Sequence, residues 1–185
     1  MREEIVKVYK ASELNEKARR KVVEKYWDIN VDFAWYEFAI DDFKDKLRDE
    51  FGLSCVEIQF SGFCSQGDGA SFTGQFSKEY IESIIKENNL NIDTETIEVS
   101  IRRIYGSRYV HEKSCYIDVE YLGGGDCTDI GKLENILEKK RLEYCKIIYK
   151  NLEEEHEYLT GEYIIVETLD TNDFEFLADG TTYKG

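Results

Sequence analysis

The sequence predicts an α+β fold, with an antiparallel sheet of about four or five strands packed with several helices, including one long helix near 130–159. Three observations predict it. Short alternating segments recur in pairs joined by glycine-bearing loops, and helical patterns of unequal length separate the pairs. The chain has 185 residues, 42% hydrophobic and 14% aromatic, enough to bury roughly 70% of its unfolded surface. The expected organisation is a main domain over 1–160, with a small helix-and-hairpin extension over 161–185 packed on it.

Residues 4–10, Glu-Ile-Val-Lys-Val-Tyr-Lys, read as a first strand, and Ser12 caps a helix over 13–27 whose inner stripe is Leu14, Ala18, Val22 and Tyr26. A second helix is expected from about Asp32 to Gly52, with Phe33, Trp35, Tyr36, Phe38, Ala39, Phe43 and Leu47 on a broad apolar face at the centre of the core. Strands over 56–60 and 70–76 flank a Gln66-Gly-Asp-Gly69 loop, and Ser77 caps a helix to about Asn88. A second alternating pair, 97–104 and 115–121, turns around Gly106-Ser-Arg. After a flexible Gly123-Gly-Gly-Asp break, residues 130–159 carry apolar side chains, Leu133, Leu137, Cys145, Ile148 and Leu152 among them, at helical spacing. The chain ends in a short helix over 162–171 and a hairpin turning at Asp179-Gly180.

Composition narrows the function classes. A net charge of −15 and an acidic pI near 4.6 argue against a general nucleic-acid binder, which needs clustered Lys and Arg. The charge is uneven along the chain. Residues 1–27 hold eight basic groups against five acids, whereas 151–185 hold ten acids against Lys184 alone, making the tail the expected acidic pole. The longest apolar runs fall far short of the roughly 20 residues of a membrane span, and Met1-Arg-Glu-Glu opens without an apolar signal region. A cytoplasmic protein with reduced thiols at its five cysteines is expected. Proline is absent, so glycine, asparagine and aspartate make the turns.

The stretch Phe60-Ser-Gly-Phe-Cys-Ser-Gln-Gly-Asp-Gly-Ala-Ser-Phe72 is the most site-like in the chain. Glycines on both sides of Asp68 permit positive φ and close approach, and Ser65, Gln66, Asp68 and Ser71 offer donors and acceptors as candidate partner-binding residues. A tight hairpin connection is the plain alternative. The spacing of Gly62, Ser65 and Gly67 departs from a nucleophile elbow, and the loop lacks the ending of a phosphate loop and the dinucleotide fingerprint.

Other constellations carry no catalytic or metal assignment. His111, Cys115 and Cys127 match no zinc module, Cys64 with His111 reads as packing, and His156 lies on a solvated helix face in Glu153-Glu-Glu-His-Glu157. Carboxylate pairs such as Asp41-Asp42 and Asp118 with Glu120 follow from 39 acids by composition alone. No cofactor is expected. The 13 tyrosines divide between sheet support and contact surface.

The pattern Leu14-x3-Ala18, the helix holding Trp35 and Asp42-Phe43, the Phe60–Phe72 stretch, Glu157-Tyr-Leu-Thr160 and Phe174-Glu-Phe-Leu-Ala-Asp-Gly180 together resemble the small acidic proteins encoded in bacteriophage and prophage genomes, loosely labelled antitoxin-like or hypothetical. The resemblance implies a phage or mobile-element accessory protein in a bacterial host cell. Members of such gene sets often bind and silence a host defence protein, CRISPR nucleases included. Displayed carboxylates can imitate a nucleic-acid backbone and occupy a basic groove, or simply keep the chain soluble. The expected function is therefore inhibition of a host protein with a basic nucleic-acid-binding groove. An antitoxin-like module using the long helix, and a small-ligand sponge or enzyme at the 65–71 loop, stand as alternatives. Homo-oligomerisation stays open, and neither direct nucleic-acid nor membrane binding is expected.

Overall fold

Opposed pairs of branched and aromatic residues set the register of the sheet. In this computed structural model, which describes residues 5–106, 110–121, 123 and 128–184, four strands pair antiparallel in chain order: Leu53–Phe60 (β1), Ala70–Phe76 (β2), Ile97–Arg103 (β3) and Cys115–Tyr121 (β4). Ile58 opposes Phe72, Gly74 opposes Ile101, and Ile101 opposes Ile117. Opposed residues point the same way, so Ile58, Phe72, Ile101 and Ile117 share the buried face. The other face carries exposed Glu57, Gln75, Glu98, Arg102, Tyr116 and Glu120. β1 slips register between Ser54 and Glu57, where Cys55 takes a φ of 53°; this bulge returns Ile58 to the inner face.

Five α-helices accompany the sheet among the described residues: Glu16–Lys25 (α1), Glu37–Phe51 (α2), Lys78–Glu87 (α3), Thr128–Leu159 (α4) and Glu162–Thr171 (α5). The α+β class and the long helix are as the sequence predicts. Ser77 caps α3 by accepting from Tyr80 N, and Gly52 closes α2 in a left-handed conformation. Two starts differ. The cap of α1 is Asn15, whose Oδ1 accepts from Ala18 N at 3.1 Å, while Ser12 lies in a 3-10 turn over Ala11–Glu13. The second helix begins at Glu37 rather than near Asp32.

The chain divides into two units, one of residues up to Trp35 with those from Glu154 onward, the other Tyr36–Glu153. The expected boundary at 160/161 thus differs from the division seen, because the first helix belongs with the tail. In the first unit Ala11, Leu14, Ala18 and Val22 pack with Ile165, Leu169 and Phe176, and Tyr26 meets Phe174 edge-on at 5.5 Å. Asp170 Oδ1 accepts from Ala11 N at 2.8 Å, and buried Asn30 is satisfied by Leu159 O and Thr168 Oγ1. Over 5–10 there is no strand among the described residues but a single bridge, Tyr9 with Phe176. Phe176 also bridges Thr182 across the expected Asp179-Gly180 turn, closed by Leu177 N to Thr181 O at 2.8 Å.

In the second unit, Phe43, Leu47 and Phe51 of α2, Ile81, Ile84 and Ile85 of α3, and Leu133, Leu137, Cys145 and Ile148 of α4 are buried with the inner face of the sheet. Of the expected Gly106-Ser-Arg turn and Gly123-Gly-Gly-Asp break, only Gly106 and Gly123 are among the described residues; 107–108 and 124–126 lie outside them.

Candidate functional site

The β1–β2 connection is organised from within. Asp68 Oδ2 accepts from Cys64 N at 3.0 Å and Ser65 N at 2.7 Å, while Asp68 N donates to Ser65 O at 3.0 Å. Ser61 Oγ accepts from Gly69 N at 3.1 Å and donates to Val110 O at 2.7 Å. Gly67 has a φ of 104°, which side chains rarely adopt. At Gly69 a Cβ would stand 2.9 Å from His111 Cα and Cβ, so the loop's close seat on that backbone requires glycine. Phe63 stacks on Phe60 at 5.8 Å and meets Tyr149 at a tilt at 5.5 Å, and Tyr149 donates to Gly62 O at 3.2 Å. Burial, with Glu153 and Asp68 nearby, raises the Tyr149 pKa.

The four expected contact residues therefore separate. Ser65 and Gln66 are exposed at the loop tip. Asp68 is half-buried and its carboxylate holds the loop. Ser71 is 2% exposed and hydrogen-bonded to Ser114 Oγ at 3.2 Å, so it has no surface to offer a partner. His111 accepts from Lys113 N at its Nδ1, 3.1 Å away, which makes it a turn cap. Cys127 lies outside the described residues. No group of three or more His, Cys, Asp or Glu among the described residues is arranged to hold a metal ion.

A buried charge lies behind the sheet. Arg141 is 1% exposed and makes a two-point pair with Glu138, Nε to Oε2 at 2.7 Å and Nη2 to Oε1 at 2.5 Å, while Nη1 donates to Glu112 O at 2.6 Å. Burial opposes its charge most strongly, yet the Glu138 hydrogen bond and the charge interactions with Cys145, Glu138 and Cys115 together leave its pKa raised. Burial pushes the neighbouring Cys145 thiol up to about 12, so it is inert as a nucleophile. The sequence signal for Arg141 was its place in the stripe, four residues after Leu137 and four before Cys145.

Charge and apolar surface meet on the outer face of α2. Phe38 is 90% exposed rather than in the core, as is Phe33 at 64%. Helical geometry places Phe38 with Asp41, Asp42, Asp45 and Asp49, at i, i+3, i+4, i+7 and i+11, on the side opposite buried Leu47. Flanking bases answer three of them: Lys44 with Asp41 at 2.9 Å, Lys46 with Asp42 at 2.6 Å, and Arg48 with Asp45 at 2.6 Å. Such exposed pairs are each worth a few tenths of a kcal/mol, so they hold the aspartates only weakly. On the open face of the sheet Arg102 pairs with Asp118 at 2.8 Å and with Glu120, and Glu57 and Glu98 are exposed.

The tail is not an acidic pole in space. Its unit holds nine basic and sixteen acidic side chains, against fifteen and twenty-three in the other, so the charge spreads over both. Lys10 pairs with Asp173 at 3.2 Å and Arg19 with Glu162 at 3.0 Å, joining the basic start to the acidic end. No helix among the described residues is long and apolar enough to cross a membrane.

A family model described as a domain of unknown function, DUF8835, matches residues 35–162, which contain the loop, the sheet and α2. No curated protein and no solved structure matches the chain.

Proposed function

The chain belongs to the DUF8835 family, and we propose that it is a binding protein, a phage or mobile-element accessory factor that docks on a host defence nuclease or similar protein and occupies its basic nucleic-acid groove. The outer face of α2 carries this reading: an exposed Phe38 set among four aspartates on one rigid helix. Carboxylates fixed on a frame attract a Lys/Arg-lined groove and speed encounter, while an exposed ring supplies contact area that solubility alone does not require. Asp41, Asp45 and Asp49 recur about every 6 Å along the axis, so the row carries about one charge for every two phosphates of a nucleic-acid strand, which rises about 3.4 Å per charge. Glu57, Glu98, Asp118 and Glu120 on the open sheet face add acid to the same unit, and Ser65 and Gln66 add polar contacts at the loop tip. The reading assigns no catalytic group and no cofactor.

The test is inhibition of target cleavage by a panel of purified guide-RNA nucleases. Inhibition of at least one enzyme, weakened at least tenfold by Phe38→Ala together with Asp45→Lys, is expected. Absence of inhibition across the panel, or inhibition indifferent to both substitutions, would remove the reading.

A further inference from the structure

Phe51 ends α2, Tyr80 stands in the first turn of α3, and Lys140, Glu143, Tyr144 and Ile147 fall at i, i+3, i+4 and i+7 on one face of α4. With Glu50 they line a cavity of about 270 Å3 within the second unit. The Phe51 ring lies 4.5 Å from Tyr144, nearly perpendicular at 83°, and 5.7 Å from Tyr80. The Tyr144 hydroxyl donates to the Glu50 carboxylate, which fixes an anion beside the rings. Glu143 is exposed beside it. Aromatic faces carry partial negative charge, and those of Phe51 and Tyr80, with two carboxylates beside them, attract a cation.

The chain's own Lys140 stands in for such a ligand. Its Nζ lies 5.9 Å from the Phe51 centroid and 6.0 Å from that of Tyr80, at the outer limit of cation–π contact. Lys140 is exposed and makes no ion pair among the described residues, so its flexible stem can leave the rings to another cation. The Tyr80 hydroxyl is buried without a hydrogen-bond partner, and burial, then Glu87, push its pKa to about 12. It stays a neutral phenol near neutral pH, leaving Glu50 and Glu143 as the negative charges of the cage.

We propose that this cage binds an organic cation of the ammonium or guanidinium class, presented as a Lys or Arg side chain of a protein partner. The identity of the partner rests on the function proposed above; the chemistry of the cage does not. Ile147, 39% exposed, offers an apolar wall for the aliphatic stem of such a side chain.

The full chain is titrated by calorimetry with three probes: a neutral-capped glycine peptide bearing one lysine, the same peptide with that lysine acetylated, and tetramethylammonium chloride. The lysine peptide is expected to bind and the acetylated one to fail. Lys140→Met removes the internal competitor and tightens lysine-peptide binding about threefold to tenfold, while Glu143→Gln and Tyr144→Leu each weaken it by a similar factor. Equal binding of both peptides would reduce the cage to an apolar pocket and overturn the proposal. Binding of tetramethylammonium without the lysine peptide would overturn its assignment to a partner's side chain. Because Tyr144→Leu removes a packing contact, Glu143→Gln and Lys140→Met, both at exposed positions, decide the matter even if that variant folds poorly. Probe binding without nuclease inhibition would uphold the cage and remove the inhibitor reading. Inhibition by a chain that binds none of the probes would overturn the cage alone.

Discussion

Asp68 spends one carboxylate oxygen on two backbone N–H groups of its own loop. Both donors are exposed and can turn to water, so Asp68→Ala is expected to cost only about 1 kcal/mol, measured by urea denaturation. Gly69→Ala is harsher, because its Cβ meets His111 backbone at 2.9 Å, and about 1–3 kcal/mol is expected in the same assay. Arg141 and Glu138 should respond unequally. Removing Glu138 leaves a buried guanidinium without its counter-ion, at about 3 kcal/mol, whereas Arg141→Met leaves a half-exposed carboxylate that water can reach, at about 1 kcal/mol or less. The reverse order in denaturation would show that the charge is stabilised elsewhere. Arg141 went unremarked in the sequence, although a polar residue inside an apolar stripe was a signal for it. Its bond to the Glu112 carbonyl, 29 positions away, had no such signal, since pairing of that kind is fixed only by the packing of α4.

At the scale of elements, periodicity carried the fold and phase carried the site. β2, α3, β3 and β4 lie close to where alternation, turn glycines and the Ser77 cap put them. For α2 the type was legible but the faces were not, because its aromatic residues read as one stripe. Phe43, Leu47 and Phe51 recur every four residues inward, and Phe38, nine before Leu47, falls half a turn away. The N-terminal strand failed for another reason. An alternating run needs a neighbouring strand to complete a ladder, and Tyr9 finds only the Phe176 bridge. Packing of α3 and α4 also sets a pH dependence. The folded pKa of Cys145 is about 12 against an ordinary 9.0, and that of Tyr80 about 12 against 10.0. Their protonated forms are the ones the fold favours, so this stability is full below about pH 9 and declines as pH rises toward 12. Denaturation midpoints are expected to fall from about pH 9 upward, and Cys145→Ala to flatten that fall. An unchanged slope in the variant would show that the thiol meets water.

Across the whole molecule, the distribution of charge decides between a solubilising coat and a docking surface. Chain order suggested a basic start and an acidic tail, and pairing within the first unit cancels much of that contrast. The joining of residues 5–35 to the tail was beyond sequence reasoning, because nothing local marks Ala11 and Leu14 as partners of Leu169 and Phe176. What remains is acid on defined faces of the second unit, with an exposed ring in its midst. The most direct measurement of the proposed docking is the affinity of the full chain for any nuclease that the inhibition panel brings out, taken by surface plasmon resonance at about 50 mM and about 500 mM salt. Groove occupation by exposed carboxylates predicts a fall of tenfold or more, mainly in the association rate, together with competition by the nuclease's own nucleic acid. Affinity unchanged by salt, with nucleic acid bound alongside, would contradict it.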